Sequence, residues 1–158
     1  MQFTFRQLRK ADISEIATWH YDGPYALYDG RTLRTSLFLW LFLRPLFTSL
    51  GYEFFSVDDE QGKLIGLFQF SSTPRRTVTI GLGLRPNFTG HGNGLAFVEA
   101  GLSFGKQRYA PRAFRLLVAA FNQRATKVYT RAGFNIIREL QRSTIHGREK
   151  FYEMKKDM

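Results

Sequence analysis

Residues Leu84 to Gly94 read Leu-Arg-Pro-Asn-Phe-Thr-Gly-His-Gly-Asn-Gly, an extended apolar run, a proline and then glycines at every second position. Gly90, Gly92 and Gly94 let the chain turn sharply and leave main-chain N–H groups unscreened by side chains. An amphipathic stretch follows, and a helix there would aim its positive dipole end at the same spot. A strand that passes into such a turn makes a cradle for a phosphate or pyrophosphate, built from Thr89, Gly90, His91, Gly92, Asn93 and Gly94.

Other chemistries find little support. The chain has no cysteine, which removes disulfides, thiolate catalysis and cysteine-based metal sites. His20, His91 and His146 lack ligand spacing, so no metal is expected. The 158 residues suit one domain with a single core. A mean hydropathy of -0.26 fits a soluble globular chain. The net charge of +10 and pI near 10.2 favour polyanionic partners such as nucleic acid or a phosphorylated cofactor, or serve solubility alone. The start, Met-Gln-Phe-Thr-Phe, lacks the charged leader and apolar core of a signal peptide, so a cytoplasmic location is the expectation. The most apolar run, Leu37 to Leu43, is too short to cross a bilayer and reads as a buried helix. No membrane partner is expected.

The elements that must position the cradle follow from periodicity and punctuation. Phe3 to Leu8 reads as a strand, and Asp12 or Ser14 can cap a first helix carrying Ile13, Ile16, Ala17 and Trp19. Gly23 and Pro24 break regularity before a second helical stretch from about Thr32 to Leu50, kinked at Pro45. Tyr52 to Val57 and Leu64 to Phe70 form a hairpin around Asp58–Gly62, and Thr77 to Leu84 is a third strand. A helix is expected from His91 or Gly92 to Arg108. Phe114 to Ala120 is a buried strand. Asn122 to Ala132 is a helix, with Asn122 as its cap and Gly133 ending it. Phe134 to Leu140 and Glu149 to Met154 close the chain as a strand pair. The fold class is α/β (α+β), with a single mixed, mostly antiparallel sheet flanked by helices.

Two patterns occur in order within this frame. The first is Leu82-x-Leu84-x-Pro86 followed by Phe88-Thr89-Gly90-His91-Gly92-Asn93-Gly94. The second is Asn122-x-x-Ala125-x-x-x-Tyr129-x-x-x-Gly133-Phe134. Together they resemble the acyl-CoA-binding half of the GNAT acyltransferase superfamily, over about residues 52–140, while the first fifty residues fit in outline. Thr89 stands where the family's glycine motif usually has Gln or Arg. Main-chain amides carry most of the phosphate contact, so this departure should weaken binding rather than abolish it.

The resemblance implies acetyl-CoA as acyl donor and an N-acetyltransferase acting on a primary amine, a small molecule or a peptide, by direct attack in a ternary complex. It implies diphosphate on the amides of residues 89–94, with His91 adding a cation if protonated. It implies pantetheine beside Leu82 and Leu84, where Gly81 and Gly83 permit a bulge that splays this strand from Phe114–Ala120. The Leu84 N–H would face the thioester oxygen. Asn122 would hold the pantetheine amides, and Tyr129 would protonate the departing thiolate. Tyr129 as a packing residue, and Asn122 as a helix cap alone, are the structural alternatives.

No Asp or Glu occurs between Gln61 and Val98, where many relatives carry a base. Glu53, Asp22 and His20 are the candidates elsewhere. Tyr21, Tyr25 and Tyr28, in the loop that helps form the acceptor wall in relatives, could pack an amine-bearing acceptor or form a local cluster. Glu53 is placed beside them as an acceptor-binding candidate. Two other classes stay open: a nucleic-acid-binding module using Arg75, Arg76, Arg108, Arg112 and Arg115, and a non-catalytic acyl-CoA sensor. A monomer and a homodimer are both compatible with the sequence.

Overall fold

A computed structural model describes all residues, 1–158. The chain runs β1 (Thr4–Gln7), α1 (Lys10–Ile16), a 3₁₀ turn (Gly23–Tyr28), α2 (Gly30–Phe42), α3 (Arg44–Ser49), β2 (Tyr52–Asp58), β3 (Leu64–Ser72) and β4 (Thr77–Leu84). It continues through a 3₁₀ turn (Pro86–Phe88), α4 (Gly94–Tyr109), β5 (Ala113–Ala119), α5 (Gln123–Arg131), β6 (Asn135–Thr144) and β7 (Gly147–Asp157). The strands form one seven-stranded sheet in the order β1-β2-β3-β4-β5-β7-β6. Every neighbouring pair is antiparallel except β4 and β5.

Strand alternation sorts the core into two clusters on opposite faces of the sheet. Phe55, Val57, Phe68, Phe70, Val78 and Ile80 meet α4 and α5 in the larger cluster. Leu64 and Leu67 meet α1 and α2 through Ile13, Ile16, Leu37 and Trp40 in the smaller one. Two residues without side chains let α4 lie close to the sheet. A Cβ on Gly101 would fall 2.2 Å from the Phe68 ring, and one on Gly66 2.4 Å from the Phe97 ring.

β4 holds the two halves of the sheet together unequally. It pairs with β3 over its length, from Val78↔Ser72 to Leu84↔Gly66, without a register shift. With β5 it pairs only at Thr77↔Ala113, Val78↔Phe114 and Thr79↔Arg115, after which the two strands diverge. The splayed central strands are therefore present, but the expected bulge at Gly81 and Gly83 is not. The opening arises because the β4–β5 ladder stops, while the β3–β4 ladder stays regular.

Three other expectations change. α1 begins at Lys10, and Asp12 sits in its first turn rather than capping it, its carboxylate reaching back to the Arg9 N–H at 2.7 Å. α4 begins at Gly94, not at His91 or Gly92, because Gly90 (φ 75°) and Gly92 (φ 79°) adopt left-handed backbone that cannot continue a right-handed helix. The Leu37–Leu43 run is not a buried helix. Leu37 and Trp40 are buried, whereas Leu39 and Phe42 are 50% and 78% exposed.

Candidate functional site

The open part of the sheet presents two strand edges. The Arg85 N–H donates to the Ile65 carbonyl on β3. By alternation, the even-numbered positions Leu82 and Leu84 turn their main-chain groups the other way, toward β5. Just after β5 the Ala120 N–H donates to the Lys150 carbonyl of β7, and the Ala119 N–H at the strand's end faces the opening. The Leu82 and Leu84 side chains pack against the larger core, so only their backbone is available to a ligand.

The turn after β4 stands at the mouth of this cleft. Thr89 donates its hydroxyl to the Pro86 carbonyl, and Asn93 donates its amide to the Phe88 carbonyl. These bonds fix the loop from within. The first main-chain donor of α4 with a partner is Phe97, to Asn93. The N–H groups from Gly90 to Ala96 have no main-chain acceptor. They combine the orphan donors of a helix start with those of the preceding turn. A Cβ on Gly92 would meet nothing within 4 Å, so the space outside this turn is open. His91 is exposed.

α5 completes this side. Asn122 caps it, its Oδ1 accepting the Ala125 N–H at 3.2 Å. Burial raises the Tyr28 phenol above its ordinary value, and the nearby Asn122 side chain opposes this. Tyr129 is two helical turns further, about 10 Å along one face. It is buried at 9% exposure and packs edge-to-face on Phe134. Burial pushes its phenol well above the ordinary value, and the neighbouring Tyr28 adds to the shift. Tyr129 therefore stays protonated across the neutral range.

Arg124 is a member of this site that the sequence reading missed. Its Nη1 lies 3.6 Å from where a Cβ on Gly90 would sit, and its guanidinium stacks 4.3 Å from the centroid of the Tyr25 ring. Nothing local marked it, since its neighbour is 34 positions away in sequence. The donors of residues 90–96 with Arg124 beside them can hold a diphosphate, and the open β4 edge can pair an extended amide-bearing arm.

The opposite mouth of the cleft is closed from the α1/α2 face. The Tyr21 hydroxyl donates to the Leu84 carbonyl at 2.6 Å, and the Ala119 N–H donates to the Tyr28 hydroxyl at 3.2 Å. Two phenols thus bridge to the two strand edges. Tyr25 points elsewhere, between Arg124 and Phe121.

The structure brings Glu53 to neither mouth. It accepts two hydrogen bonds from Arg108, at 2.9 and 2.6 Å, and one from the Tyr109 hydroxyl. Arg108 first, and Tyr109 after it, hold the carboxyl below its ordinary range against the opposing effect of burial. Arg108 lies fourteen residues, about 21 Å of helix, from Gly94. Among the other base candidates, His20 Nδ1 lies 2.7 Å from Asp29 Oδ2, while Asp22 precedes the first 3₁₀ turn without a side-chain cap bond. Three of the arginines considered for nucleic acid already have partners, and the Arg112 N–H donates to the Arg76 carbonyl. Arg108 is tied to Glu53, Arg115 to Glu153 and Arg76 to the Ala110 carbonyl.

Comparison with known proteins agrees with this geometry. Residues 2–135 match the family model of the acetyltransferase (GNAT) domain. A mycothiol acetyltransferase from Propionibacterium freudenreichii is 32% identical over 90 residues, covering 57% of this chain and 25% of that protein. The chain thus matches about a quarter of that relative's length. A spermidine N-acetyltransferase chimera of Vibrio cholerae and hSSAT sequences has the same fold, with TM-score 0.80, 21% identity and coverage of 99% of this chain and 96% of that one. The Vibrio cholerae spermidine N-acetyltransferase solved with CoA and spermine superposes with TM-score 0.73 at 22% identity, covering 98% of this chain and 94% of that one. With the family model spanning most of its length, and with the splayed sheet and glycine turn in place, this chain belongs to the GNAT acetyltransferase family.

Proposed function

We propose that the chain transfers an acetyl group from acetyl-CoA to the neutral form of a primary amine. The observation that carries this reading is the run of acceptor-free amides from Gly90 to Ala96 at the mouth of a cleft whose β4 edge is unpaired. In this reading Thr89 to Gly94 hold the diphosphate with help from Arg124. The backbone of Leu82 and Leu84 and the side chain of Asn122 align the pantetheine arm. Acetyl-CoA supplies the acyl group as a thioester.

The residues then divide the work. The amine's lone pair forms the new C–N bond at the thioester carbonyl as the C–S bond breaks. The Leu84 N–H stabilises the oxygen on which charge develops. Tyr129 gives its proton to the departing sulfur and regains one from solvent, while the amine nitrogen loses one to water. The chief contribution is orientation of the two reactants across the cleft.

The acceptor mouth favours an amine that is not a polycation. Two of its carboxylates are already engaged, Asp29 by His20 and the Tyr21 N–H, and Glu15 by Arg85, which leaves the exposed Asp22 alone to meet a cation. A net charge of +10 repels polyamines at long range. Tyr21 and Tyr28 offer aromatic faces to an amino acid, an aminoglycoside or a peptide terminus.

Thermal-shift titration with acetyl-CoA, followed by thiol-release assays across amino acids, aminoglycosides, polyamines and peptides, tests the proposal. A ligand that binds only the folded chain raises its melting temperature. The expected result is a saturable rise and turnover with at least one non-polyamine acceptor. Gly92→Val should remove the rise, since it strains a left-handed residue and places a branched side chain in the cradle. An equal rise in that variant would count against the cradle. Cofactor binding without transfer to any amine would favour a sensor instead.

A further inference from the structure

The two tandem helices after the acceptor loop present an apolar surface that the transferase reading does not use. Seven of the chain's twelve exposed large hydrophobic side chains fall between Leu33 and Tyr52. Leu39, Phe42, Leu43, Leu46 and Leu50 are each between 42% and 78% exposed on the α2–α3 unit. Beside them a cavity of about 340 Å³, lined largely by apolar side chains including Leu37, Trp40, Phe47 and Phe54, opens between the helices and the sheet.

The charge around this surface has one sign. From Gly30 to Tyr52 there is no Asp or Glu, whereas Arg31, Arg34 and Arg44 fall within it, Arg31 near Asp29 and Arg44 near Glu53 at its two ends. Arg34 rests on the Phe38 ring, 5.8 Å from its centroid. The flanking carboxylates, Asp29 and Glu53, are committed to His20 and the Tyr21 N–H, and to Arg108 and Tyr109. A second copy seated here would set these arginines against their own equivalents. An anionic lipid surface complements both features, accepting the leucines and phenylalanines below its headgroups and the guanidinium groups among them.

We propose that the α2–α3 unit docks the protein peripherally on anionic bilayers, lying on the surface without crossing it. The length of the apolar run excludes a span but leaves this mode open. The docking reading is independent of the catalytic one.

Co-sedimentation of the full chain with vesicles tests it. Vesicles of phosphatidylcholine alone are compared with vesicles containing about one third phosphatidylglycerol. The expected result is at least about tenfold tighter partitioning onto the anionic vesicles, weakened by added salt. Phe42→Glu should lower it by about tenfold or more, since this side chain is 78% exposed and its replacement costs the fold little. Arg34→Gln and Arg44→Gln should each lower it several-fold. An unchanged melting temperature and acetyl-CoA response in each variant separates loss of docking from loss of fold. The proposal is overturned by equal binding to both vesicle types, by no binding to either, or by a Phe42→Glu variant that binds as the parent does. It is also overturned if sedimentation equilibrium reveals a dimer that Phe42→Glu dissociates, which would make a second copy the occupant of this face.

Discussion

β4 has two neighbours and treats them differently. Against β3 it forms a continuous ladder, and the β1–β3 half of the sheet is further locked by charge. Arg6 bridges Asp12 and Asp58, and Ser56 donates to the same Asp12 carboxylate. Against β5 the ladder ends after three pairs, and donors and carbonyls along both edges are left to side chains or to a ligand. A polar group left unpaired in a closed interior is costly. A sheet that is satisfied elsewhere and open here holds hydrogen-bonding capacity for something that binds. Stability and chemistry should therefore respond to different residues.

The largest expected effect lies on the open side. Tyr129→Phe removes one oxygen and keeps the packing against Phe134. Turnover should fall by about 10²–10³-fold, the range for a lost general acid, with acetyl-CoA affinity little changed. Because burial raises the phenol above its ordinary value near 10, the parent enzyme should show no loss of rate from Tyr129 ionisation below about pH 10. Steady-state assays over pH decide this, and unchanged turnover in the variant would leave Tyr129 as a packing residue.

How much of this contrast was legible in the sequence follows from chain distance. The cap at Asn122, the stop at Gly133 and the turn at 89–94 depend on residues a few positions apart, and each is where local pattern put it. The start of α4 was misread because glycine's left-handed backbone looks the same in sequence as a helix start. The splay was expected from a bulge, but it arises from the end of a β4–β5 ladder between segments more than thirty positions apart. Arg124 over Tyr25, Tyr21 on Leu84 and Glu53 beneath Arg108 join segments separated by 55 to 99 positions, and no local signal announces them. The family resemblance supplied roles at the cofactor mouth. At the acceptor mouth it pointed only to the loop carrying Tyr21, Tyr25 and Tyr28 as a wall, since the first fifty residues fit only in outline.

On the closed side, Asp12→Asn should cost about 2 kcal/mol of stability, since a nearly buried carboxylate that accepts from Arg6, the Arg9 N–H and Ser56 loses its charge, while Arg6 keeps its pair with Asp58. Burial is the largest influence on Asp12 and works to raise its pKa. Arg6, the Arg9 N–H and Ser56 together outweigh it, and the net shift is downward. A depressed folded value means that the stabilisation is complete above the ordinary carboxylate range, about pH 4, and is lost as pH falls through the lower folded value. The melting temperatures of parent and Asp12→Asn should differ most at neutral pH and converge in acid. A gap independent of pH would mean that the variant perturbs packing rather than charge.

Glu53→Gln sharpens the comparison with the smallest expected effect. Glu53 entered the sequence reading as a base and acceptor-binding candidate, but it is spent on Arg108 and Tyr109 at the far end of α4. The glutamine keeps the shape and an acceptor oxygen while losing the charge. Arg108 is partly exposed, so solvent screens much of the pair, and the cost should be about 1 kcal/mol. Its pKa is depressed, chiefly by Arg108, so this contribution also belongs above about pH 4.3 and fades as pH falls through the folded value. Turnover at saturating substrates should stay within about twofold of the parent, because a surface-side ion pair some four turns of helix from the cradle touches neither reactant. A loss comparable to that of Tyr129→Phe would mean that the closed half of the sheet transmits to the chemistry, and that the division between a locked frame and an open cleft does not hold.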